Sequence, residues 1–356
     1  MAYVGGKGKC PKEFIQILQN ELDGYPSATY LEPFCGYLHV TKRLSFGPER
    51  KVIISDYKED LVHLLTGIGL GWGYKKFITS DDHIKARDRD PSFERGLIRF
   101  GASYCGGFFN GFMSYRFYIT GGYVRNQCEE HFNHYELIKP VLKKCSIHHC
   151  SFADWKPKGC IIYCDPPYRG TTDYDTEFDY RQFDAVVSEW AKTNIVFISE
   201  YVQPDVSGIH EVFSFEKFCT IADTSNTDKR IEKLFKVGKL SSSSSLNTIP
   251  QFVPRRDPEL YLEDPTSEKI SEAVKDAIHK YFYHPKLSRK RIAEYEKRFG
   301  RFDPRKIHEE YMKKKGMYTK KKEVSVTNTP QGLRNTMKRN VIIFNFRRRI
   351  KHSSKG

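Results

Sequence analysis

Four consecutive residues, Asp165-Pro166-Pro167-Tyr168, hold the most informative chemistry in the chain. They follow an apolar run, residues 159–164 (GCIIYC), that reads as a buried strand. In an open α/β sheet the ligand crevice lies beyond the carboxyl ends of the strands. Two prolines there stiffen the loop and remove backbone donors. The Pro166 carbonyl and the Asp165 carboxylate remain as acceptors. Two acceptors aimed at one point suit an amino group with two hydrogens. Tyr168 adds a flat face on which a base can stack. A tight turn with a capping Asp is the plainer reading, and the strand before it argues against that.

The elements that must present this tetrapeptide can be read around it. Residues 29–34 and 51–56 (KVIISD) read as strands, and residues 58–65 begin a helix. Residues 146–152 and 194–199 (NIVFIS) read as further strands. Residues 181–192 have helical periodicity, with Phe183, Val186, Val187 and Trp190 on one face. Strands alternating with helices predict a mainly parallel α/β sheet. Residues 70–135 break the alternation and predict an inserted subdomain. There Lys75, Lys76, Arg87, Arg99, Arg116 and Arg125 are interleaved with Tyr104, Phe108, Phe109, Tyr115 and Tyr118. Basic side chains of this kind hold phosphates, while aromatic and polar groups such as Asn110 wedge into or read bases. A satellite aromatic core is the plainer reading for some of these rings.

Charge divides the chain. The whole carries 59 Lys and Arg against 44 Asp and Glu, a net of +15. Residues 238–356 hold 29 basic and 13 acidic residues, a net of +16, which leaves −1 for residues 1–237. That asymmetry predicts a chemistry-bearing front and a polyanion-binding back. Five consecutive serines at 241–245 predict a flexible linker over 238–250. Residues 251–356 then read as a basic, partly helical accessory region. Ser267 caps a helix running to about Phe282, Ser288 opens another that Gly300 closes, and Asp303-Pro304 opens a third that Gly316 closes. Residues 341–346 read as strand-like and precede Arg347-Arg348-Arg349. The nine scattered cysteines, the absence of an apolar leader and the lack of any membrane-length apolar run predict a soluble intracellular protein with reduced thiols and no membrane partner. Cys145, His148, His149, Cys150, Cys160 and Cys164 cluster in sequence, but in apolar strand-like stretches, and the reading is structural cysteines without a metal.

An Asp/Asn/Ser-Pro-Pro-aromatic tetrapeptide after a strand is the signature of amino-methyltransferases. The order of the other pieces resembles the class of adenine-specific DNA methyltransferases that includes the bacterial DNA adenine methylase and viral relatives. A Gly-Gly-Lys segment opens that family, as in Tyr3-Val4-Gly5-Gly6-Lys7. A Glu-Pro-Phe-x-Gly turn follows its first strand, as in Glu32-Pro33-Phe34-Cys35-Gly36, and an acidic residue ends the second, as Asp56 does. A target-recognition insert matches residues 70–135. An Asp-aromatic pair, here Asp154-Trp155, precedes the catalytic motif, and residues 229–237 match the closing strand. The resemblance covers residues 1–237 and does not reach the tail. One departure stands out. The family places small residues after the glycine of the first turn, whereas this chain has Tyr37 and Leu38, a pair expected to narrow the methionine pocket.

The resemblance implies a Rossmann-like α/β methyltransferase fold with a mixed, mainly parallel sheet, S-adenosylmethionine as cofactor and double-stranded DNA, with the target adenine flipped out, as partner. It implies catalytic roles for Asp165, Pro166 and Tyr168. It implies cofactor contacts from Tyr3, Lys7, Phe34, Gly36, Asp56, Asp154, Trp155 and Asp165, and nucleic-acid contacts from Arg99, Asn110, Arg116 and Arg125. Each has a physical reading. Gly36 lets the backbone approach a ligand closely, and Asp56 can accept both hydrogens of a ribose diol. Asp154 can accept from the cofactor's adenine amine with Trp155 against its ring, and Lys7 can meet the methionine carboxylate. Direct methyl transfer of this type needs positioning rather than a metal. The alternatives within this chemistry are an RNA adenine or DNA cytosine amino-methyltransferase. Outside it stands a DNA-binding protein on a decayed methyltransferase fold. Restriction partner, regulatory mark and viral self-protection all remain open as roles.

Overall fold

The computed structural model describes residues 7, 10–74, 77–118, 121–170, 178–218 and 229–317, apart from 242, 258, 261, 263 and 284–287. Tyr3, Gly5, Gly6, Lys75, Lys76 and residues 341–349 lie outside the described residues. In chain order the first elements are α1 (Lys12–Gly24), β1 (Thr29–Glu32), β2 (Val52–Asp56) and α2 (Glu59–Gly69). The insert follows, with α3 (Ser80–Arg87), α4 (Phe93–Ala102), β3 (Tyr115–Tyr118), β4 (Tyr123–Asn126) and α5 (Gln127–Leu142). The chain then returns through β5 (Cys145–His149), β6 (Cys160–Cys164), α6 (Tyr180–Trp190), β7 (Ile195–Glu200), β8 (His210–Phe218) and β9 (Lys229–Gly238). The tail supplies α7 (Ser267–Phe282), α8 (Ser288–Phe299) and α9 (Pro304–Lys314).

Seven strands form one sheet in the order β5-β2-β1-β6-β7-β9-β8. β1 pairs in parallel with β2 and β6, β2 with β5, and β6 with β7, while β9 runs antiparallel to both its neighbours. This is the mainly parallel α/β sheet that the strand-helix alternation predicts, and the mixed, Rossmann-like fold that the resemblance implies. Every residue of β1, β2, β6 and β7 is buried, as parallel strands covered on both faces must be. The amphipathic face of α1, with Phe14, Leu18 and Leu22, packs with Tyr30, Tyr163 and Phe197 of the strands. Phe183, Val187 and Trp190 of α6 pack with Ile162 and Ile198. The order of winding reverses between β1 and β6, so a crevice opens at their carboxyl ends.

The insert is more helical than its Gly-rich sequence suggests. α4 lies so close to α2 that a Cβ at Gly96 would come within 2.4 Å of the Asp60 carbonyl oxygen. The β3-β4 hairpin then runs directly into α5, whose first turn is capped by the Asn126 side chain at the Glu129 N–H, 3.2 Å.

The serine-rich stretch is not a slack linker. Ser241 N–H donates to the Thr193 carbonyl at 3.0 Å, and Ser245 and Lys158 exchange two backbone hydrogen bonds of 2.8 Å. Asn247 bonds the Asp154 carbonyl and the Lys156 N–H. Serine composition signals flexibility only where the backbone finds no partner, and here it finds several. Residues 255–257 go on to bond α2 and α4, through Arg255 N–H to His63 and Asp257 N–H to Glu94. Thr266, not Ser267, caps α7, accepting from Lys269 N–H at 3.2 Å. The accessory region expected from residue 251 onward therefore belongs, up to Tyr311, to the first of two compact units, Met1–Tyr311 and Met312–Gly356.

Phe117 is the anchor of that docking. It is the inward residue of β3, 1 % exposed, with Tyr281, Phe282 and Tyr295 rings 4.8–6.0 Å away. Replacing it by Ala removes a large ring from a site already closed on every side. Phe117→Ala is expected to destabilise the protein by about 3–5 kcal/mol, read by urea unfolding. An unchanged midpoint would show that α7 and α8 do not depend on the hairpin.

Candidate active site

Acidic residues gather at the carboxyl edge of the sheet. Glu32 ends β1, Asp56 ends β2, Asp165 follows β6 and Glu200 ends β7. Glu232 joins them from β9, whose next residue, Lys233, pairs with Glu200. Clustered buried carboxylates repel one another and lose hydration, so each needs compensation. Lys7 supplies part of it. Its ammonium, 3 % exposed, donates to the Asp165 carboxylate and to the Tyr168 hydroxyl, and sits 3.3 Å from Glu232 Oε1. It also lies 4.6 Å from the centre of the Tyr168 ring. Burial alone would lower the Lys7 pKa, but the Asp165 and Glu232 carboxylates outweigh it and hold the ammonium above its ordinary value.

The other acids are held differently. Glu32 accepts from the Tyr30 hydroxyl at 2.9 Å and from Thr41. Burial pushes its carboxyl up to about 8, despite those two donors. Glu200, 1 % exposed, accepts the Tyr201 N–H at 2.7 Å and the Arg169 N–H at 3.1 Å. It thereby pins the chain just after Tyr168 to the end of β7, and burial raises its carboxyl pKa as well. Tyr180 donates to the Tyr168 carbonyl at 3.0 Å, and the Tyr201 ring meets Tyr168 edge-on at 4.5 Å. Glu200, Glu232 and Tyr201 were not singled out by sequence reasoning, and Glu32 was quoted only as part of the turn after the first strand. Glu232 carried a readable signal, since it falls in the same inward phase of β9 as Leu234.

The structure brings Lys7, Asp165 and Tyr168 to one point, with Pro166 buried between the last two. Lys7 was expected at a methionine carboxylate. Its ammonium lies on Asp165 and Tyr168 of the tetrapeptide after β6. Asp56 lies nearby, 7 % exposed, accepting from Lys58 N–H at 3.0 Å and Gly36 N–H at 3.1 Å. Burial raises its pKa. Gly36 has φ +46°, a left-handed conformation that glycine adopts freely. Phe34 is half-buried among Phe152, Phe178 and Phe183.

Asp154 and Trp155 stand apart from the expectation. The Asp154 carboxylate faces its own turn, accepting from Ser151 N–H at 2.8 Å. Trp155 is 1 % exposed, with its indole N–H on the Ser55 hydroxyl at 2.9 Å. Its large ring is core, held beneath the end of β2. Tyr37 and Leu38 correct the expected narrowing. Both are buried in the core that α2, α4 and α5 share.

Of the four residues expected at nucleic acid, Asn110 and Arg116 are exposed. Arg99 is a correction. It is 6 % exposed and, with Arg95, ion-pairs the buried Asp60, at 3.0 Å and 2.6 Å. Removing either arginine would leave buried charge uncompensated, so the pair supports the fold. Arg125 is half-buried and forks onto the Glu130 carboxylate. Arg116 and Arg125 are cross-strand partners on the hairpin, and each guanidinium lies 5.4 Å from the Tyr118 ring centre. The Glu130 contact relieves the repulsion that two facing arginines would suffer.

No family model and no curated protein sequence matches the chain. Among solved structures it is similar to a Pyrococcus horikoshii protein assigned as an RNA methyltransferase, at 8% identity and TM-score 0.32, covering 65% of this chain and 86% of that one. It is also similar to a precorrin-6y C5,15-methyltransferase from Geobacter metallireducens, at 9% identity and TM-score 0.30, over 65% and 92% of the two chains. A third is an Escherichia coli protein assigned as a methyltransferase, at 10% identity and TM-score 0.29, over 65% and 89%. The strand order and directions, not these likenesses, define the fold. Among the described residues no group of three His, Cys, Asp or Glu side chains could hold a metal ion. No described helix is long and apolar enough to cross a membrane.

Glu32 gives the site a pH signature. Its folded pKa of about 8 lies above the ordinary 4.5. Its contribution to stability is therefore complete below pH 4.5 and is lost as pH rises toward 8. Glu32→Gln keeps an acceptor for Tyr30 and Thr41 without the charge. The variant is expected to gain stability over the parent by roughly 2–5 kcal/mol at pH 8 and by little at pH 4.5. Paired thermal melts across that range measure it, and parallel curves for the two proteins would refute it.

Proposed function

We propose that this chain is a site-specific DNA methyltransferase that moves a methyl group from S-adenosylmethionine to the 6-amino group of a flipped-out adenine. The observation that carries this reading is the convergence of Asp165 and Tyr168 on one nitrogen. The Lys7 ammonium is an N–H donor held by a carboxylate beside an aromatic ring, and it stands in for the exocyclic amine of a stacked base. Its long stem of rotatable bonds lets it yield that position to a base. Asp56, with lone pairs left beyond its two backbone contacts, suits a ribose diol. The left-handed turn at Gly36 suits close approach of the cofactor. When bound, S-adenosylmethionine supplies an electrophilic methyl group.

The chain's own residues supply positioning. The amine of adenine is a poor nucleophile because its lone pair is delocalised into the ring. Asp165 and the Pro166 carbonyl accept its two hydrogens and so fix the direction of the lone pair. Tyr168 stacks the base, and Glu200 holds the loop in place. Extracting the base from a duplex costs about a few kcal/mol, which contacts elsewhere must offset. The outer face of the hairpin, with Arg116, Tyr118, Tyr123 and Arg125, is suited to that task. So is α8, which exposes Arg289, Lys290, Lys297 and Arg298 and meets the hairpin turn where Phe299 lies 3.4 Å from a Cβ built at Gly122.

Two measurements test the reading. Cells expressing the chain are expected to carry 6-methyladenine at one sequence in their DNA, read by modification-sensitive sequencing. Asp165→Ala should lower that activity at least about a thousandfold with the fold retained. Methyl groups found only on cytosine or on RNA would overturn the assignment. Changing Arg289, Lys290, Lys297 and Arg298 together to Gln is expected to flatten the salt dependence of duplex binding, by about one unit of log–log slope for each phosphate that is no longer neutralised. An unaltered slope would remove α8 from the DNA surface.

A further inference from the structure

The bulky pair after Gly36 has a socket, and the insert provides it. Tyr37, 2 % exposed, is enclosed by His131, His134 and Tyr135 of α5, with ring centres 5.7–6.2 Å from its own. Its hydroxyl lies 3.3 Å from that of Tyr135. Its carbonyl lies 2.8 Å from His134 Nε2, and His134 Nδ1 lies 3.2 Å from Lys42 Nζ. Since the ammonium can only donate, Nδ1 is the acceptor and Nε2–H donates to Tyr37. Leu38, the next residue, has φ +53°. That left-handed conformation is strained for a side chain of this size and persists only where its surroundings impose it. The backbone turning at Gly36 is thus gripped one residue later by the helix that closes the insert.

We infer that His134 is a positioning residue for the cofactor loop: by holding the Tyr37 carbonyl it fixes the Gly36–Leu38 turn against Asp56. The insert then serves the cofactor as well as the target. Its helix α5 starts where the hairpin ends, so one rigid element carries both the hairpin and the Tyr37 socket. Burial and the neighbouring Lys42 favour the neutral ring, with a pKa of about 4, so the grip is intact at ordinary pH. The bulk of Tyr37 and Leu38 follows from the same arrangement, because small residues would leave the socket unfilled.

The inference rests on the proposed cofactor, and the test separates the two. S-adenosylhomocysteine is titrated calorimetrically into the full chain and into its variants. His134→Phe fills the socket but cannot donate, and it is expected to bind the nucleoside about tenfold more weakly. His134→Gln can still donate from its amide, and it should bind within about twofold of the parent. Lys42→Met leaves His134 in place but removes the partner that sets its tautomer, and a few-fold weakening is expected. It also serves if His134→Phe does not fold. Folded His134→Phe that binds like the parent, or His134→Gln that binds as weakly as His134→Phe, would overturn the inference. A parent protein that does not bind the nucleoside at all would instead overturn the proposed function.

Discussion

A buried positive charge among buried negative ones organises this molecule. Parallel strands end together, and their ends are where the fold can present side chains to a ligand. This chain places five carboxylates at or beside that edge, and most are out of water. Such a group holds together only if each acid is neutralised, protonated or saturated with donors. Lys7 neutralises Asp165 and Glu232, burial keeps Glu32 protonated, and backbone N–H groups occupy Glu200 and Asp56. The edge is thus polarised without being solvated, which is the condition under which a carboxylate holds an amino group firmly.

The same economy of charge runs through the insert. Asp60 of α2 is satisfied by two arginines of α4, and those arginines lie against the Phe108 ring, with Arg95 against Phe109 as well. α4 is therefore fixed to the first helix after β2 by a charged contact that it cannot exchange for phosphate. The hairpin, by contrast, keeps a charged face outward. Its inner face is apolar and covered by the tail, while its outer face alternates arginine and tyrosine. The basic tail is thus structural on one side, through α7 against Phe117, and charged on the other, through the exposed positions of α8.

Much of the sheet was legible from local pattern. Apolar runs bounded by polar or turn residues marked β1, β2, β5, β6 and β7, the resemblance marked β9, and the structure moves their ends by no more than three residues. The tetrapeptide after β6 stands where the chemistry of two acceptors and one ring requires it. α1, α3, α4, α5, β3, β4 and β8 were not read, although α1 carries a legible apolar face in Phe14, Leu18 and Leu22. Residue type misled where one kind of side chain has two fates. Arg99 looked like a phosphate ligand until Asp60, 39 positions away in sequence, was seen beside it.

What the sequence by itself determined is the parallel core of the sheet and the motif at its edge, because periodicity and loop chemistry act between neighbours along the chain. Only the tertiary structure decided which charges face one another, that the serine-rich segment and the helices beyond it dock on the domain, and that Tyr37 turns into the insert rather than the crevice at the strand ends. Those outcomes depend on which groups meet across tens to hundreds of residues. In a medium of low dielectric that meeting, more than residue type, decides whether a charge binds a ligand or holds the fold.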